Sequence, residues 1–268
     1  MRNENAECRN VRALALLLCA LLALCVACGQ AEPEPITSAT ESPITTLEVP
    51  AVPPVEIEPI SHTVTKRIHP GKREFAFIVE GVLRREFSLN VNGEPYSSEY
   101  NVISAIDIWG ENGAFRQRLE GFETRFPYYP DDYGLLFADF NNDGYLDLQL
   151  YAFIGGTSTN VPSFFWLWDN KQGKFTRNQQ LEELSDGNYV SMDGSRVHCF
   201  ARGGAAYRYN SWYEYRSGAF IQVESLEEEL CSEDDALYVH SVIKKLIDGR
   251  MQTVSDMREN LEEGSEAP

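Results

Sequence analysis

The feature that most constrains this chain is a succession of glycine-bearing turns: Asn92-Gly93, Asn112-Gly113, Asp143-Gly144, Gln172-Gly173, Asp186-Gly187, Asp193-Gly194, Ser217-Gly218 and Asp248-Gly249. Such pairs close tight turns because both residues tolerate a left-handed backbone. The runs between them are short and either alternate or are wholly apolar. Phe87, Leu89 and Val91 alternate with polar neighbours, and Val102, Ser104, Ile106 and Ile108 share one face. Tyr207, Tyr209, Ser211, Tyr213 and Tyr215 line one side of a strand, opposite Arg208, Asn210, Trp212, Glu214 and Arg216. Period two with aromatic and β-branched residues is the signature of hairpins. No stretch has the glycine spacing of a Rossmann or P-loop. The expectation is an all-β domain of antiparallel hairpins, in a sandwich or a small propeller-like arrangement.

One segment competes. In "CSEDDALYVHSVIKKLIDGRM", Ser232 can cap a helix whose stripe is Val239, Val242, Ile243, Leu246 and Ile247. The alternative is a hairpin across Asp248-Gly249 that returns through "RMQTVSDM". The hairpin is the expectation.

The N-terminus has a different grammar. "MRNENAECRNVRALALLLCALLALCVACGQ" carries Arg2, Arg9 and Arg12, then an apolar run that ends in small residues before a cysteine. These are the charged, hydrophobic and cleavage regions of a secretory signal. An uncleaved anchor is the alternative, since the apolar core sits at the short edge of a membrane span. The segment resembles a bacterial lipoprotein signal, in which the cysteine becomes lipid-modified and begins the mature chain. Cys28, after Val26 and Ala27, matches; Cys25, after bulky Leu24, matches less well and stands where that family usually has Leu, Val or Ile. The resemblance implies acyl chains on Cys28 and a protein anchored in the bacterial cell envelope, facing outside the cytoplasm, with no transmembrane helix in its mature form.

Residues 29–60 hold seven of the thirteen prolines, six glutamates and no Lys, Arg or aromatic. That composition buries too little apolar surface to offset chain entropy, so the stretch reads as a disordered, semi-rigid tether. Residues 61–258 then form the domain, and 259–268 an acidic tail. A formal charge of −18 would repel nucleic acid and anionic headgroups and attract cations and basic partners. Of the six cysteines, Cys8, Cys19 and Cys25 fall inside the signal and Cys28 takes the lipid. Cys199 and Cys231 remain, and export permits a disulfide between them.

The segment "LLFADFNNDGYLDLQLYAF" (135–153) carries the strongest chemical signal. Counted from Asp139, oxygen donors stand at positions 1 (Asp139), 3 (Asn141), 5 (Asp143) and 9 (Asp147), with Gly144 at 6 and the Tyr145 carbonyl at 7. This is the spacing of calcium loops. A hard cation needs six to eight oxygens, so short side chains must alternate inward around a glycine-permitted bend. Position 12 is Leu150, so the bidentate Glu of a full EF-hand is missing, and the flanks are strands. Affinity is therefore expected in the weak, extracellular range of roughly 10⁻⁵ to 10⁻³ M. The alternative is an acidic hairpin turn on Asp143-Gly144 with no metal.

The loop resembles those of FG-GAP and related β-repeat proteins. "ADFNNDGYLDLQL", the Gly-Gly loop "FIGGTSTNVPS", "FFWLWDNKQGKFTRNQQLEEL" and the later "GGAAYRYNSWYEYRSGAFIQVES" together look like the calcium-binding, propeller-like bacterial lipoproteins that include immunity proteins against secreted lysozyme-like toxins. The likeness covers about residues 130–225. It implies Ca²⁺ on Asp139, Asn141, Asp143, the Tyr145 carbonyl and Asp147, and an inhibitor's role against a peptidoglycan hydrolase.

Nothing in the sequence draws a catalytic constellation. His62, His69, His198 and His240 are scattered, and there is no G-x-S-x-G elbow. His198 and Cys199 are adjacent, so on a strand they point to opposite faces. A carbohydrate-binding module or glycosidase is the rival reading. Phe164, Phe165, Trp166, Trp168, Tyr128, Tyr129 and Tyr133 would then stack on sugars rather than form core, and Asp131 and Asp132 would add acid near the loop. The reading favoured by sequence is a binding or inhibitor module, not an enzyme.

Overall fold

The computed structural model describes residues 55–72, 74–110, 113–127, 133–153, 161–233 and 236–261. The signal with Cys28, nearly all of the tether, Tyr128, Tyr129, Asp131, Asp132 and residues 262–268 lie outside them.

Most runs between turns become strands, and within each sheet nearly all of them pair with the next in the chain. The first sheet is the meander β1 (Glu56–Arg67), β2 (Glu74–Leu89), β3 (Pro95–Trp109) and β4 (Phe115–Leu119), with β5 (Phe126–Pro127) added to β3. The second is β6 (Leu135–Ala138), β7 (Asp147–Tyr151), β8 (Ser163–Asp169) and β9 (Lys174–Arg177). A helix, α1 (Gln179–Ser185), leads to the third: β10 (Tyr189–Asp193), β11 (Arg196–Arg202), β12 (Tyr207–Arg216), β13 (Ala219–Glu233), β14 (Ala236–Ile247) and β15 (Arg250–Asn260). The antiparallel hairpin architecture is the expected one. The sheets are open and stack like a sandwich, with the second sheet in the middle.

Strand β8 shows why the second sheet is central. Trp166 and Trp168 point into a core shared with Phe75, Phe77, Ile106 and Phe126 of the first sheet. Phe165 and Leu167 point the other way, into a core with Leu181, Val190, Val197 and Phe220. A strand buried on both faces reads as a continuous apolar run, which "SFFWLW" is. Each such side chain contributes roughly 1.5–3 kcal/mol by leaving water.

The hairpin over residues 236–260 forms as expected, with Asp248 and Gly249 at φ 51° and 74°. Helix α1 was not expected. Asn178 caps it by accepting the Leu181 N–H at 2.9 Å, and Leu181 is fully buried. Two boundaries need correction. Strand β1 begins at Glu56, inside the stretch read as tether, because Glu56–Ile60 pair in register with Arg85–Gly81. At the other end β15 runs to Asn260, and the Leu261 N–H donates to the Leu237 carbonyl. Between Glu80 and Gly81 the β2–β3 register shifts, and the chains approach so closely that a Cβ on Gly81 would collide with the Val102 carbonyl oxygen. No helix among the described residues is long and apolar enough to cross a membrane.

Candidate metal centre

The loop 139–147 joins β6 to β7, and positive φ at Asn142 (56°) and Gly144 (88°) supplies its bend. Its side chains turn inward onto its own amides. The Asp143 N–H donates to both Asp139 Oδ1 (3.0 Å) and Asn141 Oδ1 (3.1 Å), which brings those two oxygens to one point. Asp139 Oδ2 accepts the Gly144 N–H at 2.8 Å, and Asp143 Oδ1 accepts that of Tyr145 at 2.9 Å. Asn141 Nδ2 closes the ring by donating to Asp143 Oδ2 at 3.1 Å. The Tyr145 ring stacks on His69 at 4.3 Å, and the Leu146 N–H donates to the Ile68 carbonyl, so the segment just after β1 buttresses the loop.

Asp147 has a different place. It is fully buried, accepting the Phe140 N–H on Oδ2 (2.9 Å) and the Trp168 N–H on Oδ1 (2.8 Å). Burial pushes its pKa up to about 7, against the pull of those two amides, and the charges of Asp143 and Asp139 push the same way. Its first visible job is to tie the loop to β8.

Among the described residues, no group of three or more His, Cys, Asp or Glu side chains is placed to hold a metal ion. The calcium set read from the sequence uses two such side chains at the loop's open face, Asp139 and Asp143, plus the Asn141 amide oxygen. A carboxylate oxygen that accepts one N–H keeps a second lone pair, so this all-oxygen set fits a hard cation. Asp139, Asn141 and Asp143 would hold it, with the Tyr145 carbonyl and Asp147 behind them.

The other sequence-level candidates disperse. Cys199 and Cys231 are both unbridged, so the disulfide expectation is overturned. Cys199 stands level with Ser211 and Ser225, and Cys231 lies six residues further along β13, about 20 Å at strand rise and far beyond disulfide reach. Cys199 is buried, and burial pushes its thiol up to about 12. His198 takes the opposite face, stacked on Trp212 at 5.0 Å and bonded through Nε2 to Asn210 at 2.9 Å. His62 stacks on Tyr133, and His240 pairs with Asp256. Phe165, Trp166 and Trp168 are core residues, and Phe164 packs partly buried beside them.

What sequence reasoning missed is an open cleft of about 590 Å³ next to the loop. Asn141 and Asp143 form one wall, the β8–β9 turn with Asn170 and Lys171 another, and Thr176 and Tyr215 contribute from β9 and β12. No sequence signal marks it, because its walls come from three elements far apart in the chain.

Comparison with known proteins adds little. No family model matches the chain, and no curated protein matches it. A solved structure described as that of a Xanthomonas Type IV Secretion System related protein aligns with TM-score 0.49 and 16% identity, over 73% of this chain and 99% of that one.

Proposed function

We propose that this protein is a calcium-organised binding module held outside the cytoplasm by lipid on Cys28, and that it engages a basic secreted protein such as a peptidoglycan hydrolase. The observation that carries the metal is the meeting of Asp139 and Asn141 oxygens on the Asp143 amide, in a strand-flanked loop with Asp143's own carboxylate alongside. Bare, that loop concentrates negative charge in a protein already at −18; a divalent cation relieves the repulsion. The same acidity favours a basic partner by steering and by complementarity. The sugar-stacking reading loses support, because three of its aromatic rings are spent on the two cores.

Scanning calorimetry at millimolar calcium and in EDTA tests the metal. With calcium at about a hundred times Kd, Tm should rise by about 5–10 °C, and Asp143→Ala should remove the rise. An unchanged Tm overturns the metal reading. For the partner, near-stoichiometric protein should slow lysozyme-type lysis of cell walls in a turbidity assay; unaltered lysis across a set of secreted hydrolases overturns that part.

A further inference from the structure

Strands of the third sheet turn alternate residues to opposite faces. One face sends Val197, Cys199, Tyr213 and Phe220 into the second core. The other looks away from it, and the register draws an apolar row across it. Tyr189 stands opposite Phe200, and beyond Asn210 Leu226 stands opposite Ile243. Four residues further along β13, on the same face, Leu230 stands opposite Val239. None of these side chains joins either core. Tyr189 is 37% exposed and the others are half-buried. A sheet face turned to water is ordinarily polar, and a contiguous apolar row on one marks a surface that something covers.

The charges on this face indicate what covers it. Arg196, Arg216 and Lys245 are spent on Asp193, Glu214 and Glu224. Arg202, Arg208 and Arg250 share the face with Glu228 and Glu259, and among the described residues none of these five has an ion pair. Six bases thus meet five acids, on a chain whose net charge is −18. A basic partner finds no field to steer by here, whereas two copies of so acidic a molecule repel each other least at this face. Free charges of both signs also suit a two-fold contact, in which one copy's arginines meet the other's glutamates. From β11 to β15 the face is five strands wide. Over about nine residues of length that gives roughly 700 Å², near the ~800 Å² that each partner contributes to a standard interface.

We infer that this outer face of the third sheet is where two copies of the chain meet, sheet against sheet about a two-fold axis. The contact is independent of the loop 139–147 and its metal. Sedimentation velocity of the full mature chain tests it, in enough neutral detergent to give each lipid-bearing copy its own micelle. A monomer–dimer equilibrium should appear between about 1 and 100 µM. Leu226→Glu sets a carboxylate from each copy in the middle of the contact and should leave monomer alone. Leu237→Glu, at a 48% exposed position on the same face, should keep the fold and weaken the dimer at least tenfold; it decides the matter if Leu226→Glu does not fold. Thr253→Glu, on the opposite face of β15, should leave the dimer intact. Monomer at every concentration overturns the inference, as does an undiminished dimer in Leu237→Glu or an equal loss in Thr253→Glu. A monomer whose binding to a lysozyme-type hydrolase is lost in Leu237→Glu also overturns it and gives the face to that partner.

Discussion

The central sheet and the outer half of the third sheet are made of similar-looking strands and held by different forces. Strands β7 and β8 are buried almost throughout, between two cores. Strands β14 and β15 have hardly a buried residue, although their apolar alternation reads as strongly. They are held by the backbone ladder and by cross-strand pairs such as Lys244–Glu227 (2.8 Å), His240–Asp256 (2.8 Å) and Arg258–Glu233 (3.3 Å). Alternation thus specifies that a strand forms; the layer it lands in decides what the strand is worth.

That contrast can be broken in descending steps. Phe165→Ala, at the second core, should cost about 3–5 kcal/mol in denaturant unfolding, whereas Met257→Ala, 52% exposed on β15, should change stability by less than about 0.5 kcal/mol. Equal costs would collapse the distinction. Asp147→Ala strands the Phe140 and Trp168 amides in the interior and should cost about 2–4 kcal/mol, measurable by the same unfolding curve. Gly81→Ala forces β2 away from the Val102 carbonyl and should cost about 1–3 kcal/mol. Lys244→Ala should cost under about 1 kcal/mol, because its pair with Glu227 is solvent-screened. Hydrogen exchange sharpens the same comparison: amides of β14 and β15 should exchange through local opening well before those of β7 and β8.

Much of this was visible in the sequence, and the omissions share a cause. The strands, their turns and the bend at Gly144 are local, so periodicity and glycine placement reveal them. The 236–260 hairpin was harder, since Val239, Val242, Ile243 and Leu246 suit either period; Asp248-Gly249 and the return strand decide it. Helix α1 escaped because Asn178 and Leu181 sit in a segment that reads as the exit of a hairpin. The start of β1 escaped because a proline- and glutamate-rich composition averages over Ile57 and Ile60, which order by pairing with β2. The Cys199–Cys231 expectation failed because register along β13, not cysteine count, sets their separation. The loop's donors were legible by spacing, but the burial of Asp147 and the neighbouring cleft depend on β8 and β12, which no local pattern encodes.

Among the described residues, every pairing of named strands but one joins neighbours in the chain; β5 reaches back to β3. Low separation between partners keeps loop closure cheap and folding fast. A polypeptide that emerges N-terminus first, as it does during synthesis, can complete its first sheet before the second has appeared, and the second before the third. The middle sheet then stands with one apolar face bare until β10–β13 arrive, which makes that interval the moment at which the growing chain is most exposed to misassembly.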